Sequence, residues 1–188
     1  MGRPRKYDRD DVLNKAMKLF WTKGYEGTHL KELVEVTGIN RFSLYKEFGG
    51  KEGLFMAALA AYMEELASFS AIYDRKPLGL QNIRDAYQAL LEFGTTHGCF
   101  AVNLIREKFV VPGDAFAKVT SMVEGTEGRY LANLRAAREA GDLAPAVDIE
   151  GLAKLLTSLN IGIVNYLIVS PDGDGPERLV KAVDHLWT

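Results

Sequence analysis

Residues 24–55 read GYEGTHLKELVEVTGINRFSLYKEFGGKEGLF, and this stretch predicts two short helices separated by a tight turn. The first helix is expected to begin at Thr28 and to end before Gly38. Its apolar residues recur at helical spacing, namely Leu30, Leu33 and Val34. Asn40 is a typical N-cap residue, so the second helix is expected to cover residues 41–48.

The second of these helices has two different sides. Leu44 and Phe48 are four residues apart and turn inward together. The outward side carries Arg41, Ser43, Lys46 and Glu47. An apolar anchor beneath a partly cationic face is typical of a helix-turn-helix unit, whose second helix lies in the major groove of DNA. Periodicity alone is equally consistent with an ordinary hairpin of two helices.

The remaining sequence also has helical rather than alternating periodicity. Further helices are predicted from the Asp8 cap to Gly24, from Lys51 toward Ile72, over 80–96, from Cys99 to about Phe109, from Asp114 to Ala140, from the Asp148 cap to about Ser170, and from Pro176 to Trp187. The fold class is therefore all-α, with about nine helices. We expect a three-helix DNA-binding domain at residues 1–50 and a second helical domain at residues 51–188.

Charge is distributed unevenly along the chain of 188 residues, whose formal net charge is −2. Residues 1–60 hold 11 Lys and Arg against 8 Asp and Glu, whereas residues 61–188 hold 12 against 17. A basic head on an acidic body favours contact between the head and a polyanion.

Composition argues against several other classes of protein. A hydrophobic content of 47% with 26% charged residues is ordinary for a globular chain that buries a core. The longest apolar stretch, residues 152–169, contains Lys154, Asn160 and Asn165, and we expect it to be too polar to span a membrane. The N-terminus MGRPRKYDRDD lacks the apolar segment of a signal peptide, so a cytoplasmic location is expected.

Sequence motifs for catalysis or metal binding are weak. His97 and Cys99 offer two ligands where a closed metal site needs about four, so a buried, inert thiol is the favoured interpretation. The acidic loop at residues 172–177 lacks the later ligands of a calcium loop. There is no phosphate loop or nucleophile elbow. We therefore expect no enzyme activity, no metal and no cofactor.

The motifs in residues 24–55 resemble the DNA-binding domain of the TetR family of transcriptional regulators. The matching elements are Gly24-Tyr25, Thr28, Gly38, Leu44-Tyr45-x-x-Phe48 and Lys51-Glu52-x-Leu54. Residues 98–103, GCFAVN, are similar to the GC-x-x-VN start of a core helix in one branch of the family. The resemblance implies a regulator, most often a repressor, that binds a palindromic operator in double-stranded DNA as a homodimer and responds to a small molecule.

The resemblance also implies roles for residues in this region. Phosphate contacts are expected from Thr28, Tyr45 and Lys51. Base contacts are expected from Arg41, Ser43 and Lys46, with Phe42 against a thymine methyl group. Lys31 could touch either a base or a phosphate, although Lys31 and Lys46 are also typical of solvated surface charges. Glu47 places an acid on this face, where it either accepts from a cytosine amine or turns away.

The segment before the first helix is a second candidate DNA element. Arg3 and Arg5 flank Pro4, and an extended arm of this kind can enter a narrow minor groove. A basic tail attracted to DNA without specificity is an equal alternative.

The C-terminal domain is expected to supply a dimer interface and an effector pocket. The interface candidates lie on the last two helices: Leu156, Leu159, Ile163, Tyr166, Leu167, Val183, Leu186 and Trp187. The pocket candidates lie on the middle helices: Phe69, Tyr73, Tyr87, Leu91, Phe100, Asn103, Leu104, Met122, Tyr130 and Asn160. Burial within one chain is an alternative for both sets. The alternative function is a dimeric ligand carrier or scaffold of the same fold that does not bind DNA.

Overall fold

The computed structural model describes residues 7–92, 97–170 and 175–187, with the backbone alone at residue 176. All regular structure in these ranges is helical, which confirms the predicted all-α class. The helices of this part of the chain are α1 (Arg9–Lys23), α2 (Leu30–Thr37), α3 (Arg41–Phe48), α4 (Lys51–Ser70), α5 (Leu80–Glu92), α6 (Phe100–Asn103), α7 (Ala115–Ala140), α8 (Ile149–Val169) and α9 (Gly175–Val183). Short 3₁₀ turns follow α4 and α9, at Ala71–Asp74 and Asp184–Leu186.

The chain forms two compact units. Unit 1 contains the residues up to Glu65 together with Phe100–Val119, and unit 2 contains Leu66–Cys99 together with Thr120–Thr188. Unit 1 thus joins α1, α2, α3 and most of α4 to a segment from much later in the sequence. The predicted domain boundary after residue 50 stays a prediction.

The two ends of α1 follow from the local sequence. The Asp8 carboxylate accepts a hydrogen bond from the Asp10 amide at 2.9 Å, and two acids occupy the first turn, where unpaired amides attract negative charge. At the other end the Gly24 amide donates to the Phe20 carbonyl at 2.8 Å. Both predicted ends of this helix are confirmed.

The helix α3 also has its predicted bounds, because the Asn40 side chain accepts from the Ser43 amide at 2.8 Å. The helix α2 begins two residues later than predicted. Its N-cap is His29, whose amide donates to the Glu32 carboxylate at 3.0 Å.

Aromatic rings form the centre of unit 1. Phe55 packs edge-on against Phe20, with ring centroids 5.0 Å apart, and against Tyr25 at 4.9 Å. Phe100 lies 6.0 Å from Phe55 and 5.6 Å from Tyr62. A residue from the later segment is therefore part of the core beneath the first three helices.

The start of α4 meets the end of α3 without room for a side chain. A Cβ atom on Gly53 would overlap the carbonyl oxygen of Phe48 and lie 2.8 Å from its carbon. Because both sides of this contact are backbone, neither can move without changing how α3 and α4 are joined. The motif Lys51-Glu52-x-Leu54 leaves position 53 unspecified, so this requirement for glycine was not predicted.

Unit 2 has its own core. It is built from α5, α7, α8 and α9, and it includes Tyr73, Tyr87, Leu90, Tyr130, Leu134, Leu156, Ile163, Leu167, Val183 and Trp187. The Asp148 side chain accepts from the Gly151 amide at 3.0 Å, which confirms the predicted cap of α8.

Three predicted helix boundaries differ from the structure or fall outside it. The prediction of a helix that reaches Phe109 is wrong, because α6 ends at Asn103. The chain continues as turns with hydrogen bonds between residues three apart; for example, the Glu107 amide donates to the Leu104 carbonyl at 3.0 Å. The predicted end of α5 falls in 93–96, and most of the predicted acidic loop falls in 171–174; both stretches lie outside the described residues. The last α-helix ends at Val183, short of the predicted Trp187.

Within the part of the chain that the structure describes, two helical stretches, Lys51–Asp74 and Ile149–Val169, are long and apolar enough to cross a membrane by length and composition alone. The expectation that the second is too polar is therefore wrong on composition. Core helices of globular proteins share this length and composition. Leu156, Ile163 and Leu167 of this helix are buried within unit 2.

Candidate nucleic-acid interface

The helix α3 has one buried and one exposed side. Leu44 and Phe48 are buried, as the spacing predicts. Phe42 is 77% exposed and Tyr45 is 49% exposed, although aromatic rings usually lie inside a folded protein. Arg41 and Lys46 are also exposed, and Ser43 is half-buried. The structure therefore brings the predicted base-reading residues onto one accessible surface.

An exposed cation and an exposed ring meet at the start of this surface. The Arg41 guanidinium lies 5.9 Å from the centroid of the Tyr45 ring, within the range of a cation–π contact. This contact limits the positions of both side chains while leaving their polar ends accessible.

Lys51 lies at the start of α4, above the ring of Tyr25. Its Nζ atom is 4.3 Å from the ring centroid. Partial burial lowers the pKa of Lys51, while the carboxylates of Glu107 and Glu26 act in the opposite direction. Burial also raises the pKa of Tyr25, and the nearby Glu52 adds to that increase. The contact with the Tyr25 ring thus restricts the position of the ammonium group.

Lys31 projects into solvent from α2. Its side chain is 87% exposed, and its ammonium group lies 3.8 Å from the Glu35 carboxylate one turn later in α2. Such exposed pairs contribute little to stability, so this lysine is available to another partner.

Thr28 does not have the exposed position that its predicted phosphate contact requires. The residue is fully buried, and its hydroxyl donates to the Gly24 carbonyl at 2.7 Å. The prediction placed Thr28 at the helix start, but the turn before α2 folds this side chain inward and leaves His29 exposed at the N-cap. Thr28 is therefore a structural residue of the turn.

Glu47 turns away from the exposed surface of α3. Its carboxylate accepts from the Tyr7 hydroxyl at 3.3 Å and lies 3.6 Å from the Arg9 guanidinium. The same guanidinium lies 5.6 Å from the centroid of the Phe48 ring. The alternative in which Glu47 turns away is confirmed, and the acid connects α3 to the start of α1. From the sequence, Arg9 was counted only among the basic residues of the N-terminal region, so its contact with Glu47 was not predicted.

The candidate arm residues Arg3 and Arg5 lie outside the described residues. Their contact with DNA stays a prediction.

Four of the predicted pocket residues form a tyrosine cluster in unit 2, consisting of Tyr73, Tyr87, Tyr130 and Asn160. The hydroxyls of Tyr73 and Tyr130 are 3.0 Å apart, and the Asn160 amide donates to Tyr130 at 3.2 Å and to Tyr73 at 3.4 Å. The Tyr87 hydroxyl donates to the Leu156 carbonyl at 2.7 Å. Burial raises the pKa of all three phenols, so they are neutral hydrogen-bonding groups.

The other pocket candidates are divided between the units. Phe69 packs edge-on against Tyr73 with centroids 6.4 Å apart, Leu91 packs on the unit 2 core, and Met122 is half-buried. Phe100, Asn103 and Leu104 belong to unit 1, where Phe100 and Leu104 are buried. The assignment of these residues to a pocket stays a prediction.

An asparagine pair that was not predicted from the sequence lies beside the tyrosine cluster. Asn133 and Asn82 are both buried, and the Asn82 amide donates to Asn133 Oδ1 at 3.0 Å. Asn133 in turn donates to the Tyr73 carbonyl at 2.9 Å. The available signal was that each asparagine lies in line with the apolar residues of its helix, Asn82 with Ala86 and Asn133 with Tyr130 and Ala137, where a buried amide needs partners.

The predicted interface residues separate into two groups. Burial within unit 2 accounts for Leu156, Ile163, Leu167, Val183 and Trp187. Tyr166 and Leu186 are exposed, and Leu159 is half-buried. Three further exposed apolar side chains lie on α8: Leu155, Ile168 and Val169.

Cys99 is half-buried rather than buried, and it forms no disulfide. His97 is exposed nearby. Among the described residues, no three His, Cys, Asp or Glu side chains converge as a metal site would require.

Comparison with known proteins covers almost the whole chain. Residues 12–58 match the family of bacterial regulatory proteins, tetR family, and residues 79–183 match the tetracyclin repressor-like C-terminal domain. The HTH-type transcriptional repressor ComR of Escherichia coli (strain K12) is 33% identical over 187 residues, which cover 96% of this chain and 87% of ComR. The uncharacterized HTH-type transcriptional regulator YezE of Bacillus subtilis (strain 168) is 30% identical over 98% of this chain and 96% of its own length.

Solved structures have the same fold. A cysteine mutant of the TetR family transcriptional regulator CifR, complexed with 26-base-pair double-strand operator DNA, has a TM-score of 0.78 and 28% identity, and covers 99% of this chain and 98% of its own. Regulatory protein TetR from Rhodobacter sphaeroides has a TM-score of 0.81 at 19% identity, and the match covers 95% of this chain and 98% of that protein. The chain therefore belongs to the TetR family of bacterial regulatory proteins, as a helix-turn-helix transcriptional regulator with a tetracyclin repressor-like C-terminal domain.

Proposed function

We propose that this chain represses transcription as a homodimer that binds a palindromic operator and is released by a small-molecule effector. The observation that carries the proposal is the two-sided character of α3. Leu44 and Phe48 anchor this helix, while a phenylalanine, a tyrosine and two cations point to solvent. Exposed rings and cations match the methyl groups, base edges and phosphates of a major groove.

Each side chain of this surface has a proposed partner on DNA. Arg41, Ser43 and Lys46 read base edges, and Phe42 contacts a thymine methyl group. The Tyr45 hydroxyl and the Lys51 ammonium bind phosphates, and Lys31 binds either kind of group. Arg3 and Arg5 enter the adjacent minor groove.

Dimerisation is proposed through one face of α8. The α8 face consists of five residues spaced three or four apart: Leu155, Leu159, Gly162, Tyr166 and Val169. Val169 is 79% exposed, and a Cβ atom on Gly162 would meet nothing within 4 Å. A continuous apolar stripe with a glycine at its centre allows close approach of the same helix from a second copy. Binding to a palindromic operator requires the dimer to present two α3 helices about 34–36 Å apart on one side of the duplex.

The tyrosine cluster is the proposed recognition site for the effector. Its three hydroxyls and one amide are surrounded by apolar residues, which is the usual composition of a small-molecule site. An effector that binds one dimer conformation more tightly than the other shifts the population away from the operator-binding state. The regulator acts in the cytoplasm and has no catalytic role.

Selection of bound duplexes from a random DNA pool tests the proposal directly. The expected product is an inverted repeat whose two halves are separated by about one helical turn. Titration of that duplex at several salt concentrations should give a steep loss of affinity with salt. The selected duplex then serves to screen compounds that release the protein. Weak binding without an enriched sequence would instead favour the ligand carrier that does not bind DNA.

A further inference from the structure

Glu107 contacts the DNA-binding helices from a distant part of the sequence. Its Oε2 atom accepts a hydrogen bond from the Tyr25 amide at 2.7 Å, across 82 residues of chain. Its own backbone is held in turns, because its amide donates to Leu104 at 3.0 Å and its carbonyl accepts from Val110 at 2.9 Å. Both ends of this glutamate are therefore fixed within unit 1.

The turn between α1 and α2, residues 24–29, needs a partner of this kind. Gly24 has φ of 74° and ψ of 173°, so the chain leaves α1 abruptly and the next amide points away from the helical carbonyls. Tyr25 is half-buried, and a backbone amide in such a place is costly when unpaired. A carboxylate satisfies it with a charge-assisted hydrogen bond.

Gly24 also provides the space for the carboxylate. A Cβ atom at this position would overlap Oε1 of Glu107 and lie 2.9 Å from its Cδ atom. The glycine thus supplies both the positive φ of the turn and the room for the distant side chain.

Two parts of the DNA-binding surface depend on this turn. The Thr28 amide donates to the Tyr25 carbonyl at 3.4 Å and the Thr28 hydroxyl donates to the Gly24 carbonyl, so the turn leads directly into α2. The ring of Tyr25 lies beneath the ammonium of Lys51, and the Glu107 charge favours the protonated form of that lysine. Moving Tyr25 would displace a proposed phosphate contact.

We propose that Glu107 is a positioning residue for the DNA-binding surface, whose carboxylate holds the turn between α1 and α2 and so places Tyr25 beneath Lys51. The inference rests on the proposed function, since its consequence is measured as operator affinity. It also assigns the segment Phe100–Val119 a role in DNA binding, although this segment lies outside the matched N-terminal region, residues 12–58.

Three variants separate the hydrogen bond from the charge. Glu107→Ala removes both, whereas Glu107→Gln keeps an oxygen acceptor without the charge. Glu26→Ala is the matched control, because Glu26 is an exposed acid on the same turn that also acts on Lys51. Hydrogen exchange of backbone amides is measured on each protein without DNA, and binding of the selected operator is measured separately.

The expected result for Glu107→Ala is about tenfold faster exchange at Tyr25 and about tenfold weaker operator binding. Exchange at buried α3 amides such as Leu44 should not change, which separates local release of the turn from global unfolding. The operator affinities of Glu107→Gln and Glu26→Ala should lie within about threefold of the wild-type affinity or exceed it, since each substitution removes a negative charge near DNA.

Unchanged exchange at Tyr25 in Glu107→Ala would overturn the inference. So would equal losses of affinity in Glu26→Ala or Glu107→Gln, because charge alone would then explain the effect. Failure of the wild-type protein to select any operator would instead contradict the proposed function, while the exchange result would still decide whether Glu107 holds the turn.

Discussion

The helices α3 and α8 both bury one side, but their exposed sides differ in chemistry. The exposed side of α3 carries two cations and two aromatic residues within eight positions. The α8 face carries leucine, valine, tyrosine and glycine over four turns, without a charged side chain. The first surface is suited to a hydrated polyanion, and the second to another apolar surface.

This difference shows which kind of partner each helix requires. Exposing cations and hydroxyls to water costs little free energy, so α3 is stable in water before it binds DNA. Apolar area in water is unfavourable by about 25 cal/mol per Å², so the α8 face gains free energy when a second copy covers it. A change that affects one surface should therefore leave the binding function of the other measurable.

Two substitutions share the largest expected effect, and the first of them, Gly53→Ala, acts on the backbone contact between α3 and α4 rather than on the exposed side of α3. Overlap with the Phe48 carbonyl should tilt α3 and reduce operator affinity by about 100-fold, or about 2.7 kcal/mol. Fluorescence anisotropy with the selected duplex measures the loss, and light scattering should still find a dimer. Gly128→Ala in α7, where a Cβ meets nothing within 4 Å, is the control and should bind normally. Normal affinity in Gly53→Ala would show that the contact can relax.

A second change, Gly162→Glu, tests the α8 face. The side chain fits within a single chain because the space around this glycine is open, yet a second copy would bury its charge. Dimers should dissociate at micromolar concentration, and operator affinity should fall by about 100-fold because two half-sites are no longer held together. Sedimentation velocity measures the oligomeric state. Gly128→Glu makes the same change at another open helical glycine, and if it dissociates the dimer equally, the α8 face is not the interface.

A pair of substitutions divides the DNA surface itself. Arg41→Ala should reduce the preference for the selected sequence by about 1–3 kcal/mol, because a base contact is lost. Lys51→Ala should weaken binding to all DNA sequences alike, and it should reduce the slope of log affinity against log salt concentration by about one. Competition between selected and scrambled duplexes at four salt concentrations distinguishes the two. If Arg41→Ala weakens both duplexes equally, this arginine binds phosphate.

The smallest expected effect concerns stability in unit 2 and its dependence on pH. Tyr87→Phe removes the hydrogen bond to the Leu156 carbonyl and should cost about 1 kcal/mol at pH 7.5. Because burial raises the pKa of Tyr87, the wild-type phenol stabilises the fold below the unfolded pKa of about 10 and loses that contribution as pH rises above it.

By pH 10.5 the wild-type protein should have lost about 0.8 kcal/mol through this phenol, so the two proteins should unfold at nearly the same urea concentration. Urea unfolding at both pH values provides the measurement. Tyr45→Phe, at an exposed ring, is the control at pH 7.5. A cost that is the same at both pH values would contradict the buried, neutral state of Tyr87.

Much of the DNA-binding region was predictable because its pattern is local. The side chains of Asp8, Asn40 and Asp148 cap the helices that follow them, as expected. The inward turn of Leu44 and Phe48 follows from their spacing of four residues. The α8 face was less predictable, since helical spacing did not separate Leu156, which is buried in unit 2, from Leu155, which is exposed. Both are leucines, and only the packing of neighbouring helices distinguishes them.

The sequence by itself determined the all-α class, the ends of most helices and which residues lie on the exposed side of α3. These features depend on hydrogen bonds and side-chain spacing within about four residues. Only the tertiary structure decided that Thr28 is buried, that Glu47 turns to Arg9 and Tyr7, and that Glu107 holds Tyr25 from 82 residues away. The physical reason is that such contacts depend on where separate helices place their backbones, and that placement results from the packing of the whole core.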